Sequence, residues 1–189
     1  MSPSDTRESL LNAAADLLAG SGLGEATTQK VARGAGVAEG TIYRHFASKE
    51  ALLEAVFARA WVRLNEAMEA GLPSRAEPEA RLRAYLGTTL AVMGSHPQET
   101  ALLRVEFSYL MAGEACPVPP GSLQFVRILE ESIRLAQEAG KARPGLDPAV
   151  AATFIYNGVS KTWATLRAGP DLPRVVAGLQ GFLDAALFP

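Results

Sequence analysis

Apolar residues recur every three or four positions along most of the chain, and glycine, proline and helix-capping residues interrupt this pattern. Such spacing places the apolar side chains on one face of an α-helix. Leu10, Ala14 and Leu17 form the first apolar stripe, and the last stripe runs from Val175 to Leu187. The pattern predicts an all-α fold of about nine helices.

The helical pattern divides into two parts. Residues 1–47 predict a small domain of three helices around a shared apolar core, and residues 48–189 predict a larger helical bundle. A long helix over residues 48–70 is expected to belong to both parts, because it begins at the small domain and continues into the bundle.

The composition indicates a globular protein. The chain has 189 residues, of which 48% are hydrophobic and 20% are charged, and this balance is not that of a disordered protein. Its single cysteine, Cys116, excludes an internal disulfide and any multi-cysteine metal site. No apolar run approaches the ~20 residues that a membrane span requires, so we expect a cytoplasmic protein. The sequence predicts no metal site and no cofactor.

Residues 27–49 predict two short helices joined by a tight turn. Thr27 or Thr28 can cap the first helix, because a threonine hydroxyl accepts hydrogen bonds from backbone N–H groups at a helix start. Gly34 and Gly36 interrupt the pattern where a positive φ is expected.

The second of these helices has a buried and a polar side. Ile42 and Phe46 are four residues apart and share one face, which leaves polar and aromatic side chains on the other faces. A short polar helix on an apolar scaffold is an element that the major groove of DNA admits. Ser48 is expected to cap the next helix, where backbone N–H groups and Lys49 could bind a phosphate.

This stretch resembles the helix-turn-helix of the TetR family of bacterial repressors. The family pattern is approximately threonine, alanine, AGV, GTLY, HF and SKEALL. The residues that match it are Thr28, Ala32 and residues 35–37, 40–43, 45–46 and 48–53. Ala38 departs from the pattern, because the family commonly has serine there, and a capping or phosphate contact is in doubt at that position.

The resemblance implies that the protein binds double-stranded DNA. The residues implied to contact phosphates are Thr28, Tyr43, His45 and Lys49. Those implied to lie nearest the bases are Gln29, Glu39, Gly40, Thr41 and Arg44. Phosphate contacts set the register on DNA and base contacts set the sequence. Glu39 has two interpretations: it accepts a hydrogen bond from a cytosine amino group, or it is a solvated charge near Arg44.

Net charge gives a mixed signal. The formal charge of −2 does not favour nucleic acid, but residues 27–50 contain four basic and two acidic side chains. Positive charge is therefore concentrated in the stretch that is expected to meet DNA.

The last two predicted helices have apolar stripes wider than one buried face requires, together with small residues that allow close approach. They are either the innermost helices of a monomer or an interface, and the resemblance implies a homodimer joined through a four-helix bundle. The expected interface residues are Phe154, Ile155, Gly158, Thr162, Val176, Leu179, Phe182 and Leu183. Two recognition helices about 34 to 36 Å apart would read a near-palindromic operator.

The bundle over residues 78–168 combines a large apolar interior with scattered polar groups, which is typical of small-molecule pockets. Arg104 and Glu106 are charges in an otherwise apolar helix, and they either contact a ligand or reach water or a neighbouring helix. The candidate effector-binding residues are Trp61, Met93, Arg104, Glu106, Phe107, Phe125, Tyr156 and Trp163. The resemblance implies an effector that lowers DNA affinity, and the scarcity of charge favours an apolar or amphipathic one.

No set of residues indicates an enzyme. The sequence has no glycine-rich phosphate loop, helical pair of histidine ligands or nucleophile elbow, and nothing orients Cys116 with His96 as a thiol and its base. The resemblance instead implies a ligand-responsive transcriptional repressor. The alternative is a helical protein-interaction module without sequence-specific DNA binding.

Overall fold

The computed structural model describes the backbone of residues 3–112, 121–166 and 172–189 and the side chains of residues 4–105, 124–162 and 174–189. Within these ranges the chain forms nine α-helices and two short 3₁₀ helices and contains no strand, so the predicted all-α fold is confirmed. None of the helices in these ranges is both long and apolar enough to cross a membrane. Cys116 lies outside the described residues.

The helices follow the chain in the order that the pattern predicts. They are α1 (Pro3–Ser21), α2 (Thr28–Gly34), α3 (Ile42–His45), α4 (Lys49–Gly71), α5 (Pro78–Ser95), α6 (Pro97–Ala112), α7 (Gly121–Glu138), α8 (Pro148–Leu166) and α9 (Leu172–Leu187). The 3₁₀ helices are Leu23–Glu25, between α1 and α2, and Glu39–Thr41, directly before α3.

The chain packs as two compact units. The first unit contains Met1–Leu64 and Met93–Gly121, and the second contains Asn65–Val92 and Ser122–Pro189. Helix α4 contributes residues to both units. This division by packing differs from the predicted functional division between residues 47 and 48, which stays a prediction.

The core of the first unit is built from α1 to α4 and α6. Leu10, Ile42 and Val56 are completely buried, and Leu102 from α6 belongs to the same core. The side chain of Gln98 at the start of α6 donates a hydrogen bond of 2.6 Å to Asp16 on α1. Helix α6 is therefore part of the scaffold that supports the helix-turn-helix, a role that the sequence did not predict.

The second unit contains a charge network in which Arg81 is buried, Glu69 and Glu131 are partly buried and Arg75 is exposed. Arg81 on α5 is 2% exposed, and it donates hydrogen bonds of 2.8 Å to Glu69 and 2.9 Å to the carbonyl oxygen of Pro73. Arg75 donates hydrogen bonds of 3.1 Å to both carboxylate oxygens of Glu131 and one of 3.2 Å to Glu69. The network joins the end of α4 to α5 and α7.

Side chains also fix the ends of the last two helices. The carboxylate of Asp147 accepts a hydrogen bond of 2.9 Å from the backbone N–H of Val150 and so caps the start of α8. The guanidinium of Arg143 donates to the carbonyl oxygens of Phe188 at 2.8 Å and Ala185 at 3.1 Å. A cation at this end of α9 is favourable because helix carboxyl ends carry partial negative charge.

Candidate nucleic-acid interface

Thr27 caps the start of α2. Its backbone is extended, and its hydroxyl accepts a hydrogen bond of 3.3 Å from the backbone N–H of Lys30. Of the two candidate caps, Thr27 rather than Thr28 therefore has this role. The hydroxyl of Thr28, the first residue of α2, is available for another contact.

The turn after α2 depends on one glycine with a positive φ. Gly36 has a φ of 69°, and the N–H of Val37 donates a hydrogen bond of 3.0 Å to the carbonyl oxygen of Ala32, as in a Schellman motif. The positive φ predicted for Gly34 is wrong, because Gly34 is the last helical residue of α2. Its small size matters instead, since a Cβ there would lie 3.1 Å from the Cβ of Ala13 on α1.

The recognition element consists of one 3₁₀ turn, Glu39–Thr41, followed by the short helix α3. Ile42 and Phe46 are buried as predicted, so they hold the element against the core. Tyr43 is 57% exposed on the opposite side. The guanidinium of Arg7 lies 5.1 Å from the centre of the Phe46 ring, a distance that allows a cation–π contact between α1 and the end of α3.

The residues predicted to contact DNA all retain access to solvent. Those that are exposed are Gln29, Glu39, Gly40, Tyr43 and Arg44, and those that are partly exposed are Thr28, Thr41, His45 and Lys49. They lie on α2, on the recognition element and at the start of α4. The fold brings them into one stretch of the first unit, and their individual roles stay predictions.

Glu39 has a hydrogen-bond partner that the sequence did not predict. The hydroxyl of Thr28 donates to a carboxylate oxygen of Glu39 at 2.5 Å, across the turn that separates the two helices. Among the residues that the structure describes, Glu39 forms no ion pair with Arg44. The Thr28 contact therefore fixes the carboxylate at the start of the recognition element.

Ser48 caps α4 as predicted. Its hydroxyl oxygen accepts a hydrogen bond of 3.1 Å from the backbone N–H of Ala51. The carboxylate of Glu50 accepts hydrogen bonds from the backbone N–H of Glu50 and from the Ser48 hydroxyl, and these hold the pKa of Glu50 below its usual value. At the amino end of α4, Lys49 is thus followed by Glu50, whose carboxylate already accepts hydrogen bonds.

The candidate effector-binding residues are divided between the two units. In the first unit Trp61 is buried, and Met93 and Arg104 are partly buried. In the second unit Phe125 is buried and contacts the Tyr156 ring, with ring centres 6.4 Å apart and planes tilted by 54°. The candidates outside the described side chains are Glu106, Phe107 and Trp163. Phe125 and Tyr156 are thus two candidates that contact each other.

Polar groups inside the second unit are mostly satisfied by the chain itself. The hydroxyl of Tyr85 donates to the carbonyl oxygen of Phe125 at 3.2 Å, and burial raises the pKa of Tyr85. The exceptions are the side-chain oxygen of Asn65 and Nε of Arg81, which are buried without a hydrogen-bond partner among the described residues. The sequence alone does not indicate a role for Asn65, because its position in the apolar pattern of α4 gives no sign of a missing hydrogen-bond partner.

An exposed apolar surface lies on α8 and α9, which belong to the second unit. Phe154 and Val150 on α8 are each 68% exposed, and Phe182 on α9 is 56% exposed. The other predicted interface residues divide into exposed Gly158, partly buried Thr162, Val176 and Leu179, and buried Ile155 and Leu183. Val150, which the predicted interface omits, lies one helical turn before Phe154 and extends the same surface.

Comparison with known proteins identifies the family. The model of bacterial regulatory proteins of the tetR family matches residues 10–56. The nucleoid occlusion factor SlmA of Marinobacter nauticus is 30% identical over 142 residues, which cover 75% of this chain and 71% of that protein. This chain belongs to the TetR family. The predicted resemblance is therefore confirmed.

Other TetR-like relatives cover more of the chain. The fatty acid metabolism regulator protein of Bacillus subtilis is 24% identical over 167 residues, which cover 82% of this chain and 80% of that protein. The solved structure of the fatty acid degradation regulator FadR from Bacillus halodurans has the same fold, with a TM-score of 0.75 and 21% identity over 94% of this chain and 93% of that one.

Membership of the TetR family makes the protein a transcriptional regulator with a DNA-binding helix-turn-helix. The two Bacillus relatives are named as regulators. The family model ends within α4, so it covers the helix-turn-helix and leaves α5 to α9 outside the match.

Proposed function

We propose that this TetR-family regulator is a ligand-responsive repressor that binds a near-palindromic operator as a homodimer in the cytoplasm. The observation that carries the proposal is the recognition element, in which buried Ile42 and Phe46 hold exposed Tyr43 and Arg44 outward. Tyr43, His45 and Lys49 are assigned to phosphates, and the base-reading set is Gln29, Glu39, Gly40, Thr41 and Arg44. The family resemblance also implies a phosphate contact for Thr28.

The exposed surface of α8 and α9 supports the homodimer. Large exposed aromatic residues such as Phe154 and Phe182 commonly mark an interface. Added Cβ atoms at Gly158, Gly178 and Gly181 would meet no described atom within 4 Å, so these glycines leave room for close approach of another helix. A second copy of the chain would cover the surface, because the same residues can meet across a two-fold axis.

The interior of the second unit supports an apolar or amphipathic effector. Its core is made of aliphatic and aromatic side chains, including Leu86, Ile128 and Phe125. The buried oxygen of Asn65 without a partner could accept a hydrogen bond from the polar end of such a ligand. The two Bacillus regulators are named for fatty acid metabolism and degradation, and fatty acids belong to this chemical class.

Helix α4 is the proposed transmitter of the effector signal. Its first residues carry Lys49 at the DNA-binding end, and its last residues carry Glu69 in the charge network of the second unit. An effector can shift the DNA-binding equilibrium only by the difference in its affinity for the two conformations. We therefore expect the effector to favour a conformation in which the two recognition elements of a dimer no longer match the operator spacing.

The test is a selection from random duplex DNA with the purified full-length protein at near-physiological salt, followed by sequencing of the bound fraction. We expect a two-fold symmetric motif whose half-sites are centred about one DNA turn apart. A folded, dimeric protein that enriches no motif would contradict the proposal and would favour the protein-interaction alternative. The enriched site then serves as the probe in a screen for compounds that release the DNA.

A further inference from the structure

We propose that Glu39 reads the amino group of a cytosine in the operator and that Thr28 positions its carboxylate for this contact. The inference rests on the proposed function, since it concerns how the same helix-turn-helix selects its sequence. It also gives Thr28 a role in base preference that differs from its expected phosphate contact.

The hydrogen bond between Thr28 and Glu39 is the first observation. The Thr28 hydroxyl donates to a carboxylate oxygen of Glu39, and a hydrogen bond accepted by an ionised carboxylate is charge-assisted. A threonine hydroxyl has one proton, so that proton is directed at Glu39. Because Thr27 caps α2, Thr28 can make this contact without leaving the helix start uncapped.

The place of Glu39 in the fold is the second observation. It is exposed, and it is the first residue of the 3₁₀ turn that begins the recognition element. In helix-turn-helix proteins the amino-terminal residues of the recognition element meet the base edges in the major groove. The Glu39 carboxylate is therefore held at the position from which a base edge can be reached.

The chemistry of a carboxylate selects the base. A carboxylate only accepts hydrogen bonds, so it is repelled by the acceptors that guanine and thymine present in the major groove. Adenine presents an amino donor beside the N7 acceptor, whereas cytosine presents an amino donor alone. Cytosine is therefore the base that Glu39 accommodates best.

The Thr28 contact leaves most of the carboxylate available. An ionised carboxylate has about four lone-pair positions, and the Thr28 hydroxyl occupies one of them. The bond also restricts a long side chain that would otherwise sample several rotamers, which reduces the entropy lost when the base contact forms. Thr28 is therefore a positioning residue, and Glu39 is the residue that touches the base.

The two roles of Thr28 predict different results for Thr28→Val. A phosphate anchor would weaken binding to all sequences about equally and leave the salt slope unchanged, because a neutral hydroxyl releases no counterion from DNA. A positioning residue would relax the preference at one base pair in each half-site. Thr28→Ser is the matched control. It keeps the hydroxyl, so the preference at that base pair should remain as in the wild-type protein.

The experiment repeats the selection from random duplex DNA with the wild-type protein, Glu39→Gln, Thr28→Val and Thr28→Ser. We expect a cytosine in each half-site of the wild-type motif, replaced by adenine with Glu39→Gln because a glutamine amide pairs with adenine. Thr28→Val should reduce the preference for that cytosine by about 5- to 10-fold, the lower end of the discrimination given by base contacts.

A second measurement changes the DNA instead, so its deciding result comes from the wild-type protein. The selected cytosine is replaced in the operator by a pyrimidin-2-one nucleoside, which lacks the amino group. Wild-type affinity should fall by about 5- to 10-fold, whereas Glu39→Ala should bind both duplexes equally. Unchanged wild-type affinity for the modified operator would overturn the inference.

The outcomes separate this inference from the proposed function. A symmetric motif that is identical for the wild-type protein and Glu39→Gln would overturn the cytosine contact and leave the operator-binding proposal intact. A motif that is relaxed equally by Thr28→Val and Thr28→Ser would overturn the positioning role. The absence of any motif for the wild-type protein would overturn both proposals.

Discussion

The guanidinium of Arg81 donates a hydrogen bond of 2.8 Å to the carboxylate of Glu69, although the arginine is 2% exposed and the glutamate is 32% exposed. The pair joins α5 to the end of α4 within the second unit. Hydrogen-bond and ion-pair partners offset the cost of burying a charge. A buried charge that loses its partners strongly destabilises the folded protein. The pair is also imperfect, because Nε of Arg81 has no hydrogen-bond partner among the described residues.

Arg81→Ala should lower the free energy of unfolding by about 3 kcal/mol, because it removes a large buried side chain and one partner of Glu69. Arg81→Met keeps most of the volume and removes the unpaired Nε, so its loss should be about 1 kcal/mol. Urea unfolding at neutral pH measures both values. The control is Arg134→Ala, which removes the exposed ion pair with Glu138 and should cost no more than about 0.5 kcal/mol. Equal losses for Arg81→Ala and Arg134→Ala would contradict the prediction.

Glu131 should make stability depend on pH. The hydrogen bond from Arg75 holds the pKa of Glu131 below its usual value and outweighs the opposing effect of burial. A group whose pKa is lower in the folded state stabilises the protein above its unfolded pKa, and this contribution is lost as pH falls through the folded value. The difference in unfolding free energy between wild type and Glu131→Gln should thus be constant near neutral pH and shrink below about pH 4.3. Urea unfolding from pH 7 to pH 3 measures it.

The matched control for this prediction is Glu138→Gln on the same helix. Glu138 pairs with Arg134 in an exposed i,i+4 arrangement, which contributes little to stability. An equal pH dependence for Glu131→Gln and Glu138→Gln would show that the charge network of Arg75 and Glu131 has no special effect.

Gly36→Ala should destabilise the first unit by about 1 to 2 kcal/mol, because a residue with a Cβ is strained at a φ of 69°. A Cβ at this position would meet no described atom within 4 Å, so the loss of stability would come from backbone strain alone and not from a steric clash. Thermal unfolding followed by circular dichroism measures it. Gly20→Ala is the control: Gly20 is helical with equal space around it, and alanine there should be neutral or stabilising.

Phe154→Glu and Phe182→Glu should each weaken the homodimer. A two-fold axis uses every interface residue twice, so one substitution removes two buried aromatic side chains. Burial of each aromatic side chain contributes about 1.5 to 3 kcal/mol, so the dissociation constant should rise by roughly 10²- to 10⁴-fold. Sedimentation velocity over a concentration series measures this change. Val62→Glu on α4 is the control, because Val62 is also apolar and 54% exposed but lies outside the proposed interface. A dimer unaffected by both phenylalanine substitutions would contradict the interface.

Substitutions in the helix-turn-helix should separate phosphate contacts from base contacts. Tyr43→Ala and Lys49→Ala should weaken binding to all sequences, and loss of one lysine–phosphate contact per chain should reduce the salt slope of a dimer by about two. Arg44→Ala should instead change the base preference. Competition binding over a salt series measures both effects, with Lys141→Ala in the second unit as the control. Equal loss for every site with Arg44→Ala would rule out base reading by Arg44.

The helices and several of their ends were predictable because they depend on residues close together in the sequence. Apolar spacing gave the order of the helices, and the caps by Ser48 and Asp147 follow from hydrogen bonds to residues three positions away. The turn at Gly36 is equally local. Gly34 shows the limit of such reasoning, since its smallness is required by Ala13 on another helix.

Contacts between distant residues could not be predicted. Gln98 and Asp16 are 82 positions apart, and nothing in the apolar pattern of α6 indicates that it packs against α1. The hydrogen bond between Thr28 and Glu39 also depends on how the turn folds, because the two residues are 11 positions apart. The residues expected to face DNA could therefore be predicted as a group, whereas the orientation of the Glu39 carboxylate depends on how the turn folds.

The packing of α6 on α1 limits how this regulator can be recombined with others. A chimaera that takes only the helix-turn-helix from this chain would leave the surface of α1 that Leu102 and Gln98 cover facing a foreign helix. The chimaera would need residues on α6 that restore both the apolar contact of Leu102 and the hydrogen bond that Gln98 donates to Asp16. Exchange of operator specificity between such proteins is thus a problem of transplanting a discontinuous module, in which two distant stretches of gene must be moved together.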